Sequence, residues 1–317
     1  MKLLVFASGR GSNFEAIIKA SESGYIKSKI SGLICDKDCP AVQIAEKHSI
    51  PVSIIKPKDY SERLDYVKSL LSTISSYEPD YIILAGYMRI IPAELIDKYP
   101  LKIINIHPSL LPEFPGKDSI RRAWDAKVKR TGVTVHYVND RMDAGPIIAQ
   151  RSVDVPDSLE KLEEQMHKIE HSIYPEVIKD LTEKPFDTLL ISNCLLGVNC
   201  RYDGGNKYSE RTITFMNNFK GKVIEVCPEL TAGYYVPRPS TDIVNGRAIM
   251  KGIGDITEDL QKACDSILSN ILGAKRIFAI LKEKSPSCGV LWPKGLFTVS
   301  AEKKFKEDIF IVSEEDL

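Results

Sequence analysis

An amide and an imidazole stand two residues apart at the end of an apolar run, residues 102–106, which predicts a buried strand. Side chains two positions apart in a strand point to the same face, so Asn105 and His107 lie together. The carboxyl edge of an open α/β sheet is where ligands and catalytic groups gather. An Asn amide can hold a developing oxyanion, and a His can move a proton near neutral pH. The alternative is that His107 only closes a strand before the turn at Pro108.

A carboxylate for this imidazole is offered by the acidic loop at residues 139–146, where Asp143 precedes a Gly-Pro turn. Most Asp residues in such loops only cap turns. Beside a catalytic imidazole, however, a carboxylate stabilises the protonated ring and fixes its orientation. Asp143 is therefore the third candidate for a catalytic group.

A glycine-rich loop, residues 8–13, follows the first apolar run and opens a helix. Glycines let backbone amides approach a ligand closely, and a helix N-terminus attracts an anion. The alternative is a local capping box between Ser12 and Glu15, which would use the same amides. Because the Gly-Lys motif of nucleoside triphosphate sites is absent, the loop predicts a site for a single phosphate.

Apolar runs alternate with amphipathic patterns around these residues, which predicts an α/β fold with a doubly wound, mostly parallel sheet. Predicted strands cover residues 2–7, 30–35, 52–55, 81–85 and 102–106, with β-rich pieces at 132–138 and 146–153. Predicted helices cover residues 13–20, 41–48, 61–75, 93–98 and 158–181.

A break near Lys184 predicts two domains, residues 1–184 and a smaller α/β domain at 187–317. Predicted strands at 189–192, 222–226 and 275–281 and a helix at 257–272 make up the second domain. The 43 basic and 43 acidic residues balance, so nothing favours nucleic acid or an anionic membrane as a partner. No apolar run is long enough to span a bilayer, and the start lacks a cleavage site, so we expect a cytoplasmic protein. The oligomeric state is left open.

Seven short motifs of the first half occur together and in order, and they closely resemble the phosphoribosylglycinamide formyltransferase family of folate-dependent purine synthesis. They lie at residues 11–13, 84–91, 105–112, 114–116, 131–136, 143–146 and 170–175. The resemblance covers about residues 1–183. It implies the formyltransferase fold, 10-formyltetrahydrofolate as cosubstrate and glycinamide ribonucleotide as acceptor. Because alignment and charge stabilisation can supply most of the rate, this reaction requires no metal.

The resemblance also implies a role for each matching residue. Asn105, His107 and Asp143 would be catalytic, and Gly11, Ser12 and Asn13 would bind the phosphate of the acceptor. Glu170 would face its sugar or glycinamide part. The folate would contact Arg63, Met88, Arg89, Ile90, Ile91 and Asn105.

Three of the seven cysteines, Cys194, Cys227 and Cys288, each follow a predicted strand of the second half. Thiolates that converge at one sheet edge can hold a soft metal or an iron–sulfur cluster. The alternative is that they are small buried residues at strand ends, since free cysteines are often buried. Spacing leaves both readings open, because there is no C-x-x-C pair.

The second half resembles a bacterial family that includes thiouracil desulfidases, over about residues 187–317. The resemblance rests on residues 193–205, 227–229, 237–239 and 281–289. It implies a [4Fe-4S] cluster on Cys194, Cys227 and Cys288, with Glu229 and Ser285 as proton-handling neighbours, and a role in sulfur removal or regulation. Cys200 and Cys264 match no ligand position. The chain departs from the family after Gly289, where a longer Gly-rich stretch is usual.

Two other functions compete with formyl transfer. A formyltetrahydrofolate hydrolase could use the same Asn, His and Asp with water as acceptor, but the phosphate loop favours a ribonucleotide. A sensor of folate or of a cluster, without turnover, is disfavoured because every catalytic residue type is present.

Overall fold

The apolar runs of the first half form one seven-stranded sheet in the computed structural model, which describes residues 1–271 and 273–317. The chain divides into two units, Met1–Lys184 and Pro185–Leu317. In the first unit the strands are β1 (Lys2–Ala7), β2 (Lys29–Cys35), β3 (Val52–Ile54), β4 (Tyr81–Leu84), β5 (Ile103–His107), β6 (Arg130–Tyr137) and β7 (Ile147–Asp154). Its helices are α1 (Ser12–Glu22), α2 (Pro40–Lys47), α3 (Arg63–Tyr77), α4 (Ala93–Lys98), α5 (Ser119–Asp125) and α6 (Leu159–Glu183).

The strand order is β3-β2-β1-β4-β5-β6-β7. Strands β1 to β5 are parallel, and β6 and β7 join antiparallel at one edge. The chain moves outward from β1 to β3 and then returns to β4, so the direction of winding switches between β1 and β4. The predicted mostly parallel α/β architecture is confirmed. The pattern of the sequence did not predict α5, a helix of only seven residues.

The central strands form because almost every residue in them is apolar and buried. In β1, the residues from Leu3 to Ala7 have no exposed surface, as expected for a parallel strand covered on both faces. Tyr174 of α6 ties two of these strands together. Its hydroxyl lies 3.0 Å from the carbonyl oxygen of Leu84 and 2.9 Å from that of Ile104. This contact joins β4 and β5 directly before Asn105, the first polar residue at the carboxyl end of β5.

The second unit is built around a smaller parallel sheet with the order β14-β13-β8-β9. Its strands are β8 (Thr188–Ser192), β9 (Lys222–Val226), the antiparallel set β10 (Thr241–Val244), β11 (Arg247–Met250) and β12 (Gly254–Asp255), then β13 (Ile277–Leu281) and β14 (Ile309–Ser313). Its helices are α7 (Glu210–Asn218), α8 (Pro228–Thr231), α9 (Thr257–Ser269) and α10 (Leu296–Phe305). The helix predicted for residues 257–272 ends at Ser269, and Leu272 lies outside the described residues. A second α/β unit is thus confirmed.

Within the two described ranges, no helix combines the length and the apolar character that crossing a bilayer requires.

The contact of Tyr174 with two strands predicts a measurable loss of stability. Tyr174→Phe keeps the ring and removes a buried hydroxyl bond, so the free energy of unfolding should fall by about 1 kcal/mol. Urea denaturation of the full chain measures this change. Tyr25→Phe is the matched control, because the Tyr25 side chain is exposed. Equal losses in the two variants would contradict the assigned role.

Candidate active site

A cavity of about 590 Å³ lies in the first unit, beyond the ends of β1 and β4 and along the last residues of β5. Open α/β sheets bind ligands where the winding direction switches, as it does here. The volume suits a small-molecule site. The walls of the cavity include Gly11, Ser12, Asn13, Asn105, His107, Asp143 and Glu170. The structure therefore brings the predicted catalytic and phosphate-loop residues to one place.

Asn105 is held by a histidine on the neighbouring strand. Asn105 of β5 lies opposite His136 of β6 in the antiparallel pairing, and its Nδ2 is 3.2 Å from Nε2 of His136. Nδ1 of His136 lies 2.7 Å from the carbonyl oxygen of Tyr137. A carbonyl can only accept, so Nδ1 carries the proton and Nε2 is the acceptor for the Asn105 amide.

Burial supports this assignment of the His136 proton. The ring is almost fully buried, and burial lowers the pKa of His136, although the Tyr137 carbonyl and the charge of Asp143 act in the opposite direction. The neutral ring therefore fixes which end of the Asn105 amide is the donor. Only one of the two N–H groups of that amide is used by His136, which leaves the other for a ligand in the cavity.

His107 is buried between a backbone carbonyl and a carboxylate. Its Nε2 donates to the carbonyl oxygen of Phe114 at 3.0 Å, and its Nδ1 lies 3.4 Å from Oδ2 of Asp143. The same Oδ2 accepts a bond of 2.7 Å from the amide of Gly116. The other carboxylate oxygen is 3.7 Å from Nε2 of His136. Asp143 thus faces both imidazoles, and its carboxylate is placed to stabilise positive charge on His107.

The two residues that contact the His107 ring, Asp143 and Phe114, both have unusual backbone conformations. Asp143 has φ 49° and Phe114 has φ 52°, a left-handed region that is uncommon for residues other than glycine. Such residues concentrate at functional sites because the surrounding structure has to hold them there. Since Phe114 occupies Nε2 of His107, a substrate must replace that carbonyl to receive a proton from this nitrogen.

The glycine loop leaves its helix without a side-chain cap. Gly11 is the N-cap residue of α1, with φ 79°, and no side chain caps the first turn. The alternative of a capping box between Ser12 and Glu15 is not formed among the described residues, and Glu15 pairs with Lys19 at 2.9 Å instead. A Cβ on Gly11 would lie 3.0 Å from that of Ala41, so both space and conformation favour glycine. The amides of this turn are free of side-chain acceptors and can meet an anion.

The remaining predicted residues of the first unit divide into two groups. Glu170 is buried, lines the cavity and accepts a bond of 2.9 Å from His167. Residues 88–91 also line the cavity, with Ile90 78% exposed. Arg63, by contrast, does not line the described cavity. Its guanidinium contacts both carboxylate oxygens of Glu94, at 2.8 and 3.0 Å.

Three further candidate residues of the cavity were not predicted from the sequence. His136 lies inside a recognised motif, but its contact with Asn105 depends on strand pairing. Arg10 and His167 line the same cavity, and a cationic residue inside the glycine loop was the one available signal for Arg10.

In the second unit the predicted cysteines stand at the ends of three adjacent parallel strands. Cys194 follows β8, Cys227 follows β9, and Cys288 lies in the segment after β13. Cys200 joins them: thiol contacts link it to Cys194 and Cys227, and the contact with Cys194 raises the pKa of Cys200 to about 11. Burial raises the pKa of Cys288 to about 12. The place of Cys200 in this group was not predicted from the sequence.

A buried ion pair lies beside these thiols. Nη2 of Arg238 is 3.0 Å from Oε1 of Glu229 and donates to the carbonyl oxygen of Cys200 at 3.1 Å. The Ser287 hydroxyl is 3.4 Å from Oε2 of Glu229. The Ser285 hydroxyl accepts from the amide of Cys288 at 3.1 Å and lies 3.2 Å from the Ser287 hydroxyl. Ser287 rather than Ser285 therefore contacts the carboxylate.

The thiols have the right chemistry for a soft metal, since thiolates are the ligands that iron–sulfur clusters use. Within residues 1–271 and 273–317, no three His, Cys, Asp or Glu side chains are positioned to hold a single metal ion. The assignment of Cys194, Cys227 and Cys288 as cluster ligands stays a prediction.

Comparison with known proteins assigns the family of the chain. Residues 1–178 match the family model described as formyl transferase, and the chain therefore belongs to that family and is a one-carbon transferase. A phosphoribosylglycinamide formyltransferase of Bacillus subtilis is 45% identical over 183 residues, which is 57% of this chain and 94% of the relative. The crystal structure of a phosphoribosylglycinamide formyltransferase from Bacillus halodurans is 41% identical, with a TM-score of 0.56, and covers 58% of this chain and 96% of that one.

Two further matches concern the alternative function of hydrolysis in the first unit and the function of the second unit. A formyltetrahydrofolate deformylase from Pseudomonas syringae is 27% identical with a TM-score of 0.54, and the match covers 58% of this chain and 62% of that one. Residues 189–307 match the family model described as 2-thiouracil desulfurase. Each of the two units thus has its own likeness to known proteins.

The contact between His136 and Asn105 predicts a graded effect on formyl transfer. His136→Leu removes the acceptor for the Asn105 amide and should lower kcat about tenfold or more, because an oxyanion donor loses its orientation. His136→Gln can still accept and should retain more activity. Steady-state kinetics of both variants measure the difference, and equal activity in the two would contradict an orienting role.

Proposed function

We propose that the first unit transfers the formyl group of 10-formyltetrahydrofolate to the amine of glycinamide ribonucleotide. The observation that carries the proposal is one cavity that joins an uncapped helix N-terminus to the Asn105, His107 and Asp143 group. The helix end suits a phosphate, and the polar group suits acyl transfer. The likeness to phosphoribosylglycinamide formyltransferases supports the same acceptor.

The reaction needs an oxyanion stabiliser and a proton donor. The acceptor amine attacks the formyl carbon, and the carbonyl oxygen becomes an oxyanion. The Asn105 amide can donate to it, as can His107 once Phe114 is displaced. The C–N bond to the folate then breaks, the folate nitrogen takes a proton, and the amine loses one. His107, beside Asp143, is placed to give the folate nitrogen its proton.

The other lining residues would bind the two substrates. The amides of residues 11–13 would hold the phosphate, and Glu170 would accept from hydroxyl or amine groups of the acceptor. Residues 88–91 would form one wall of the folate site, where Met88 and Ile90 offer exposed apolar surface. The resemblance also supports Arg63 as a folate contact, with its guanidinium paired to the carboxylate of Glu94.

The rival function is hydrolysis of formyltetrahydrofolate, which the likeness to a deformylase keeps open. It needs no phosphate site, so the uncapped loop favours transfer. An assay of 10-formyltetrahydrofolate consumption with and without glycinamide ribonucleotide separates the two. We expect turnover that depends on the acceptor. Equal consumption in its absence would identify a hydrolase, and no consumption in either case would favour a sensor.

His107→Ala tests the catalytic assignment within that assay. Loss of a general acid should reduce kcat by about 10²–10⁴-fold, with little change in the KM for the ribonucleotide. His48→Ala is the control, because His48 pairs with Glu22 at 2.6 Å and is not among the residues that line the cavity. Near-normal kcat in His107→Ala would exclude it as the proton donor.

For the second unit we propose sulfur removal from a small thiocarbonyl compound. The match of residues 189–307 to 2-thiouracil desulfurase supports this, as do the clustered thiols of Cys194, Cys200 and Cys227. Cys194, Cys227 and Cys288 would hold an iron–sulfur cluster. A regulatory role for the unit is the alternative, since the sequence departs from the family after Gly289.

Iron and sulfide analysis after anaerobic reconstitution tests the cluster. A four-iron cluster would give about four iron atoms per chain. Cys227→Ala should lose most of this iron, whereas Cys264→Ala should keep it, because Cys264 is packed in the apolar core of the unit. Iron-free protein, or equal iron in both variants, would contradict the ligand assignment.

A further inference from the structure

We propose that Asp36 is a positioning residue for the folate site, because its buried carboxylate holds Arg89 and thereby fixes residues 86–91, which we call the folate wall. The inference rests on the proposed function, in which residues 88–91 form one wall of the folate site. Residues 86–91 all line the cavity, whereas Asp36 is not among its lining residues. Asp36 would therefore act on the folate through Arg89.

The folate wall has no regular structure of its own. Residues 86–91 lie between β4 and α4, outside the helices and strands, so no ladder of backbone bonds fixes them. The side chains of Met88 and Ile90 are exposed and do not anchor the wall by packing. Ile91, at its far end, is buried in the apolar core. The position of the wall before Ile91 therefore depends on single contacts with the ends of neighbouring strands.

The first of these contacts comes from Ser8, directly after β1. The amide of Ser8 donates to the carbonyl oxygen of Gly86 at 3.1 Å, and the Ser8 hydroxyl accepts from the amide of Met88 at 3.0 Å. Because β1 and β4 are neighbours in the sheet, these two bonds hold the first half of the wall to the strand beside it.

The second contact comes from Asp36, one strand further away. Asp36 directly follows β2, and its Oδ2 accepts from Nε of Arg89 at 2.7 Å. Strand β1 lies between β2 and β4, so this ion pair crosses the end of β1. It ties the middle of the folate wall to a strand that is not its neighbour in the sheet.

The burial of the pair is one-sided, which favours a positioning role over a purely stabilising one. The Asp36 side chain is 5% exposed and the Arg89 side chain is 48% exposed. Oδ1 of Asp36 has no hydrogen-bond partner in the part of the chain that the structure describes. A buried carboxylate is costly unless hydrogen bonds satisfy its remaining lone pairs, so a half-paired one is a poor stabiliser. What the contact does provide is a fixed place for Arg89 on the wall of the cavity.

Loss of this restraint should affect folate affinity more than the chemical step. Without Asp36 the wall would have to be ordered by the folate as it binds, and the free energy of that ordering is subtracted from the free energy of binding. The group of Asn105, His107 and Asp143 lies on other elements and would keep its geometry once the folate is bound. The expected sign is therefore a higher KM for the folate at nearly constant kcat.

Steady-state formyl transfer by the full chain tests this expectation. Asp36→Ala should raise the KM for 10-formyltetrahydrofolate about tenfold, whereas kcat and the KM for glycinamide ribonucleotide should change less than about twofold. Asp36→Asn keeps an oxygen that can accept from Arg89 and should retain most of the affinity.

Asp154→Ala is the matched control. Its carboxylate also accepts from the Nε of an arginine, Arg130, at 3.1 Å, and neither residue is among those that line the cavity. An unchanged KM for the folate in Asp36→Ala would overturn the proposal. A rise of equal size in the KM for both substrates would also overturn it, because it would indicate a general disturbance of the unit.

A double variant tests whether Asp36 acts through Arg89. If it does, Asp36→Ala combined with Arg89→Gln should have a KM for the folate no higher than that of Arg89→Gln alone. Losses that multiply would contradict this route. Should Asp36→Ala fail to fold, Arg89→Gln alone decides the question, because its half-exposed side chain can be replaced without opening the core. It should raise the KM for the folate and not that for the ribonucleotide, and an unchanged KM for the folate would overturn the proposal.

Calorimetric titration with tetrahydrofolate, the product of the proposed transfer, separates the positioning role from the proposed function. It needs no turnover and should show binding about tenfold weaker in Asp36→Ala than in the wild type or Asp154→Ala. If the wild type transferred no formyl group to the ribonucleotide but this difference appeared, the acceptor assignment would fail and the role of Asp36 would stand. Equal binding in all three proteins would remove that role even if transfer occurs.

Discussion

The antiparallel pairing of β6 with β5 is the constraint on which the active site depends. It places His136 directly opposite Asn105 and at the same time starts the loop that brings Asp143 to His107. A shift of one residue in this pairing would turn His136 to the other face of the sheet. The neutral imidazole, the oriented amide and the carboxylate would then no longer share one cavity.

Backbone carbonyls decide which atoms of the site carry protons. The Tyr137 carbonyl accepts a hydrogen bond from Nδ1 of His136, and the Phe114 carbonyl accepts one from Nε2 of His107. Because a carbonyl cannot donate, each of these bonds selects one ring nitrogen as the donor. At the other end of the cavity, the backbone amides that begin α1 have no side-chain cap among the described residues. The chemistry of the site thus depends on main-chain geometry as much as on residue type.

The difference between local residue patterns and tertiary main-chain geometry explains what could be predicted from the sequence. The buried strands and the Asn105–His107 pair are local patterns of apolar and polar residues, and they appear where predicted.

The partner of Asn105 could not be predicted, since the register of β6 on β5 is not a local property. The alternative of a capping box does not occur, because Gly11 adopts a left-handed conformation and takes the N-cap position that Ser12 would have needed. The pairing of Arg63 with Glu94 could not be predicted either, because it joins residues at the starts of two different helices. Cys200 was missed for the same reason, because its contacts to Cys194 and Cys227 come from loop geometry.

The most direct test of the site is a double-mutant cycle on kcat between Asn105→Ala and His136→Leu. If His136 acts by orienting the Asn105 amide, the double variant should be little worse than Asn105→Ala alone, with a coupling energy of about 1 kcal/mol or more. Independent, additive losses would contradict the account, because they would mean that His136 serves the reaction by some route other than Asn105.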